Sequence, residues 1–135
     1  MRYLVLAFVG EGPTDRRFLE PLILRLLRSC LAAAGEIVEI QTPFMDLPVH
    51  GRGNQAIIAA ARKLAGAFDL LLLHADGKGD PRRARSRHIA PVKAKMRPYE
   101  NERGPSVVGI VPVHETEAWA IADGDALRAV LGTVR

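Results

Sequence analysis

Tyr3-Leu4-Val5-Leu6-Ala7-Phe8-Val9-Gly10-Glu11-Gly12-Pro13-Thr14-Asp15 decides how the chain is read. Seven apolar residues end in Gly-Glu-Gly-Pro, and an amphipathic pattern begins at once. An unbroken apolar run marks a strand covered on both faces, as in a parallel sheet. The stretch therefore predicts a buried strand, a tight turn and the start of a helix. Glu11 falls where strand gives way to helix, the crevice in which open α/β sheets bind ligands. The flanking glycines leave its carboxylate uncrowded and let the backbone approach a ligand closely.

Outward from this stretch, strand and helix patterns alternate. Phe18, Leu19, Leu22, Ile23, Leu26, Leu27, Cys30 and Leu31 recur at three- and four-residue spacing. They predict a helix from Pro13 or Thr14 to Ala34, capped by Gly35. Cys30 falls in this stripe and is expected to be buried. Pro21 predicts a kink, or a regular helix that starts near Glu20. Residues 36–42 read as a second strand, closed by Pro43 and followed by a loop to Gly53. Asn54 is the expected N-cap of a helix to about Ala67. Residues 69–76 read as a third buried strand, which ends in His74, Asp76, Gly77, Lys78, Gly79 and Asp80. A helix over 89–100, a fourth strand over 106–113, a helix over Ala118–Ala122 and a last helix from Asp125 to Leu131 complete the pattern. The order predicts an α/β fold: a mostly parallel, four-stranded, Rossmann-like sheet with helices on both faces.

The 135 residues form one expected domain, 1–135, and an apolar fraction of 48% argues against disorder. No apolar run approaches the ~20 residues that span a bilayer, and the N-terminus lacks a signal-peptide pattern. A cytoplasmic protein without membrane contact is expected. The net charge of +4 is local: residues 82–103 hold eight cations against Glu100 and Glu102, so the rest of the chain sums to −2. Such a patch suits a polyanion such as nucleic acid, or is simply a solvated segment.

Three strand ends carry carboxylates. Glu11 follows the first strand, Asp76 and Asp80 the third, and Glu115 and Glu117 the fourth. In a parallel sheet these lie on one edge. Clustered hard oxygens suit a divalent cation such as Mg²⁺, which activates water and steadies a phosphodiester transition state. Each acid also has a structural reading: Glu11, Glu115 and Glu117 at helix starts, and Asp76-Gly77 as a turn. His74 and His114 sit beside the acids, as metal ligands, proton carriers or structural histidines. The four histidines and one cysteine form no zinc spacing. Trp119 reads as a core residue.

Val9-Gly10-Glu11-Gly12-Pro13-Thr14-Asp15 with Phe18-Leu19 resembles the opening of toprim-type domains, the fold of topoisomerases, bacterial primases and overcoming-lysogenization-defect nucleases. Val113-His114-Glu115-Thr116-Glu117-Ala118-Trp119-Ala120-Ile121-Ala122-Asp123 is similar to a Glu-x-Glu-Ala-Trp segment of a toprim-related family of small bacterial proteins, some of whose relatives act in anti-phage defence. The resemblance runs through Asp123. It implies Glu11 as metal ligand or general acid/base and Asp76 as the second acid of Asp-x-Asp. The first acid position holds His74 instead, a departure that bears on catalysis more than on fold. Relatives tend to continue further, so a fragment or minimal member is expected.

Together these readings predict a Mg²⁺- or Mn²⁺-dependent nuclease acting on DNA or RNA. Glu11, Asp76 and His74 are the candidate catalytic residues. Glu11, Asp76, Asp80, Glu115 and Glu117 are the candidate metal ligands. Arg82, Arg83, Arg85, Arg87 and Lys78 are the candidate phosphate contacts. The alternative is a non-catalytic module that binds a nucleotide or a partner protein such as a defence ATPase.

Overall fold

The computed structural model describes residues 2–100, 104–113 and 125. The opening apolar run forms two strands in line, β1 (Arg2–Leu4) and β2 (Leu6–Val9). Helix α1 (Pro13–Ala33) follows. Next come β3 (Val38–Ile40), β4 (Met45–Asp46), helix α2 (Gly53–Lys63) and β5 (Leu70–His74). Helix α3 (Pro81–Ala84), a π-helical turn (Arg85–Ile89) and helix α4 (Ala90–Glu100) join end to end, and β6 (Ser106–Ile110) closes the described core.

The fold is α/β. β4, β2, β5 and β6 form a four-stranded parallel sheet in that order, while β1 and β3 pair in parallel as a second small sheet. Alternation along the strands divides the core in two. Leu6, Phe8, Leu70 and Leu72 pack with Leu19, Ile23 and Leu27 of α1. Ala7, Leu71, Leu73 and Val107 pack with Ile58 and Ala61 of α2, with Ile89 of the π turn, and with Val92 and Met96 of α4. Helices therefore cover both faces, as the sequence predicts. A strand order that reverses between β2 and β5 puts the ligand crevice at their carboxyl ends.

Several local expectations are corrected. The first strand breaks at Val5, whose amide donates to the Asp69 carboxylate at 2.8 Å. The Asp69 amide in turn donates to the Val5 carbonyl at 2.8 Å. The stretch 44–53 is not all loop. Its residues 45–46 form the edge strand β4 of the main sheet, while the predicted second strand pairs with β1. The separation falls at Pro43-Phe44. Proline brings no amide to the ladder, and the Phe44 backbone is taken by α1: its amide donates to Glu20 at 2.9 Å and its carbonyl accepts from Arg16. Arg16 also pairs with Glu20 at 3.1 Å and with Asp46.

Helix α1 runs from Pro13 through Pro21 without interruption. Cys30 is exposed, not buried. Leu27 and Leu31, on either side of it, pack against the core, so Cys30 lies off the buried stripe of α1. Asn54 is not the N-cap of α2; Arg52 holds that position, and the Asn54 side chain donates to the Arg87 carbonyl at 2.6 Å. Helix α2 ends at Lys63, short of Ala67, because the chain turns through Gly66 at φ +96°. The basic segment is helical from Pro81 rather than from 89, because Asp80 caps it and Pro81 occupies its first turn. Strand β6 ends at Ile110, short of 113. The predicted helices over 118–122 and 125–131 lie outside the described residues, apart from Asp125.

The π turn presses Ile89 onto β6 at Gly109. A Cβ built there would stand 2.5 Å from Ile89 Cγ2 and 2.9 Å from Cγ1. Gly109→Val should therefore overpack this contact and lower stability by about 1–3 kcal/mol. A urea midpoint equal to that of the wild type would show that helix and strand do not meet as described.

Candidate functional site

The register of β2 on β5, Val9 opposite Leu73, sets two carboxylates side by side at the sheet edge. Glu11 lies two residues beyond Val9 and Asp76 three beyond Leu73. Both line a cavity of about 330 Å³. Its remaining wall comes from the loop after β5 and from the start of the basic helix: Lys78, Asp80, Arg83, Arg87 and His88. The cavity thus brings the carboxylates of Glu11, Asp76 and Asp80 together with the cations Lys78, Arg83 and Arg87.

Hydrogen bonds tie down the loop 76–80 along its length. Asp76 Oδ1 accepts from the Lys78 amide at 2.9 Å. The Gly77 amide donates to the Pro112 carbonyl at 2.8 Å, and the Gly79 amide donates to the Val113 carbonyl at 2.6 Å. Gly77 is needed because a Cβ there would collide with the Pro112 carbonyl oxygen. Lys78 adopts φ +44°, a left-handed conformation unfavourable to a side chain by about 1–2 kcal/mol. Five residues of backbone are thus fixed so that Asp76 and Lys78 share the rim of one cavity.

Asp80 has a structural task. It is the N-cap of α3, and its Oδ1 accepts from the Arg83 amide at 3.1 Å. Along the helix, Asp80, Arg83, Ala84, Arg87 and His88 recur at three- and four-residue spacing, and all line the cavity. Reading the segment as irregular before residue 89 conceals this face, and His88 is the lining residue that the sequence did not single out. Arg82 and Arg85 are exposed and do not line the cavity.

His74 is buried, 5% exposed, on the α1 side of the sheet. Its Nδ1 stands 3.4 Å from Asp15 Oδ2 in the first turn of α1, an ion pair when the imidazole is protonated. It does not line the cavity. The residue in the first acid position of the Asp-x-Asp pattern thus faces Asp15, while Asp76 faces the cavity. His114, Glu115, Glu117 and Trp119 lie outside the described residues. Among the described residues no group of three His, Cys, Asp or Glu side chains stands together as a metal-binding cluster. Glu11 and Asp76 are the pair able to hold a hard cation by one or two carboxylates, with water and phosphate oxygens completing its shell.

A second cavity of about 300 Å³ lies across α2, lined by Pro48, His50, Ala56, Ala60, Lys63 and Leu64 among others. It has no carboxylate and is mostly apolar. No helix among the described residues is long and apolar enough to cross a membrane. No family model, curated protein or solved structure matches the chain, so the fold and the cavity carry the functional argument alone.

Capping and ligation by Asp80 can be told apart. Asp80→Ala should lower stability by about 1 kcal/mol in urea denaturation, while Asp80→Asn, itself a good cap, should not. Equal stability of all three proteins would remove the capping role.

Proposed function

We propose that the chain is a Mg²⁺-dependent phosphoryl-transfer domain of toprim-like type that cleaves nucleic-acid phosphodiesters. The observation that supports this reading most is the cavity in which Glu11 and Asp76 face Arg83 and Arg87. Two carboxylates beside guanidinium groups, at the carboxyl edge of a parallel sheet, suit a phosphate bridged to the protein by a divalent cation. Glu11 and Asp76 would hold the ion, and Mn²⁺ would serve as well. When bound, it lowers the pKa of a bound water and offsets charge on the phosphoryl oxygens. Arg83, Arg87 and Lys78 would fix the phosphate by charge-assisted hydrogen bonds. Glu11, the more exposed of the two carboxylates, would alternatively act as the general base that accepts a proton from the attacking water. A role in anti-phage defence belongs to the same reading, through the resemblance alone.

His74 supports a second reading. Its imidazole faces Asp15, away from the cavity. A site with one acid fewer suits a module that binds a nucleotide or a partner such as an ATPase without hydrolysing it. The two readings separate on turnover.

Calorimetric titration of Mg²⁺ into the wild type should give a saturable heat that Glu11→Gln/Asp76→Asn abolishes. Cleavage of plasmid, single-stranded DNA or RNA in Mg²⁺ should fall by at least about 100-fold in the same variant, the scale of a lost acid–base group. Metal binding without cleavage would move the assignment to the binding module. No metal binding by folded wild type would end the metal-dependent reading.

A further inference from the structure

The basic face of the molecule extends well beyond the cavity. Residues 53–63 and 81–99 contain nine arginines and lysines and no aspartate or glutamate, against +4 for the whole chain. The nine are exposed. The two segments lie on the same side of the sheet, since α2, the π turn and α4 share one core cluster. They are joined at both ends. Asn54, at the start of α2, donates to the Arg87 carbonyl at 2.6 Å. Arg62, near its end, lies over the Tyr99 ring at 5.6 Å. The helices therefore run side by side in the same direction. Lys95 stands one turn before Tyr99 on the same face of α4.

We infer that the paired α2 and α4 helices form a duplex-binding track, with Arg62 and Lys95 as phosphate contacts remote from the cavity. The inference rests on the proposed phosphodiester site, which it supplies with a long docking surface. From Arg83 at the cavity to Tyr99 the helix spans about 24 Å at about 1.5 Å per residue. That matches about seven base pairs of duplex at about 3.4 Å each. Charge complementarity selects a polyanion. An anionic membrane is disfavoured because the large exposed apolar residues Tyr3, Leu26, Ile37, Val108 and Val113 all lie outside these helices. A single strand is disfavoured because the one aromatic residue of the two segments, Tyr99, is half-buried beneath Arg62 and offers no stacking platform.

The test is fluorescence anisotropy of the full chain with a DNA duplex of about 20 bp, in chelator so that no cleavage occurs. A single strand of equal length and phosphatidylserine vesicles serve as competitors. The duplex should bind more tightly than either. Arg62→Gln/Lys95→Gln should weaken duplex binding at least about tenfold near 0.1 M salt, and lower the slope of log affinity against log salt by about 2. Arg62→Lys/Lys95→Arg should restore both. Because Arg62 also touches Tyr99, Lys93→Gln/Lys95→Gln, at two exposed positions, provides a pair that leaves this contact intact. It should lower the slope by about 1, the share of Lys95, with an unchanged melting temperature. An unchanged slope in both pairs, or tighter binding to single strand or vesicles, would overturn the track. In Mg²⁺ the Arg62→Gln/Lys95→Gln pair should raise KM and leave kcat unchanged. Duplex binding with the expected slopes but no cleavage would leave the track standing and end the enzymatic reading. Cleavage with unchanged slopes would do the reverse.

Discussion

The register between β2 and β5 is the constraint on which the rest depends. Asp69 enforces it twice, with its carboxylate on the Val5 amide and its own amide on the Val5 carbonyl, both at 2.8 Å. Val9 then stands opposite Leu73. A slip by one residue would turn Leu71 and Leu73 from the α2–α4 side to the α1 side and break both halves of the core. It would also separate Glu11 from Asp76. The burial that holds the sheet together thus also assembles its acidic edge.

On that edge, charge is sorted by element. The sheet ends supply carboxylates, and the helix that follows β5 supplies cations. The loop between them is bound to the carbonyls of Pro112 and Val113, so the two sets meet across one cavity. On the other face, Arg16 and Glu20 of α1 turn inward to the chain, while Arg17, Arg25 and Arg28 are exposed. Arg16 and Glu20 hold the Phe44 backbone and so separate β3 from β4.

Much of this was legible in the sequence. Apolar runs at 3–9 and 70–73, each followed by glycine and acid, mark parallel strands and their ligand edge because both faces must be apolar. Glu11, Asp76, Arg83 and Arg87 follow from that placement. Edge strand β4 was not legible, since Met45-Asp46 carries no strand pattern and is held by side chains from α1. Cys30 fits the apolar period of α1, but period alone does not set how wide the buried stripe is: Leu27 and Leu31 pack on the core and Cys30 does not. His88 and the early start of the basic helix were hidden by the π turn, which breaks the 3.6-residue repeat. Asn54 has the chemistry of a cap, but its amide is taken by Arg87 from a segment 33 residues away. His74, the last residue of β5, keeps the alternation of the strand and faces α1, whereas Asp76 lies past the strand end in the loop, a boundary the sequence does not mark.

The central claim is that a divalent cation is held between Glu11 and Asp76. The most direct measurement is amide NMR of the isotope-labelled chain titrated with Mn²⁺ at substoichiometric amounts. The account predicts paramagnetic broadening centred on the amides of Glu11, Gly12 and residues 76–80, relieved by excess Mg²⁺. Broadening that centres elsewhere, or that spreads evenly over the exposed carboxylates, would contradict it.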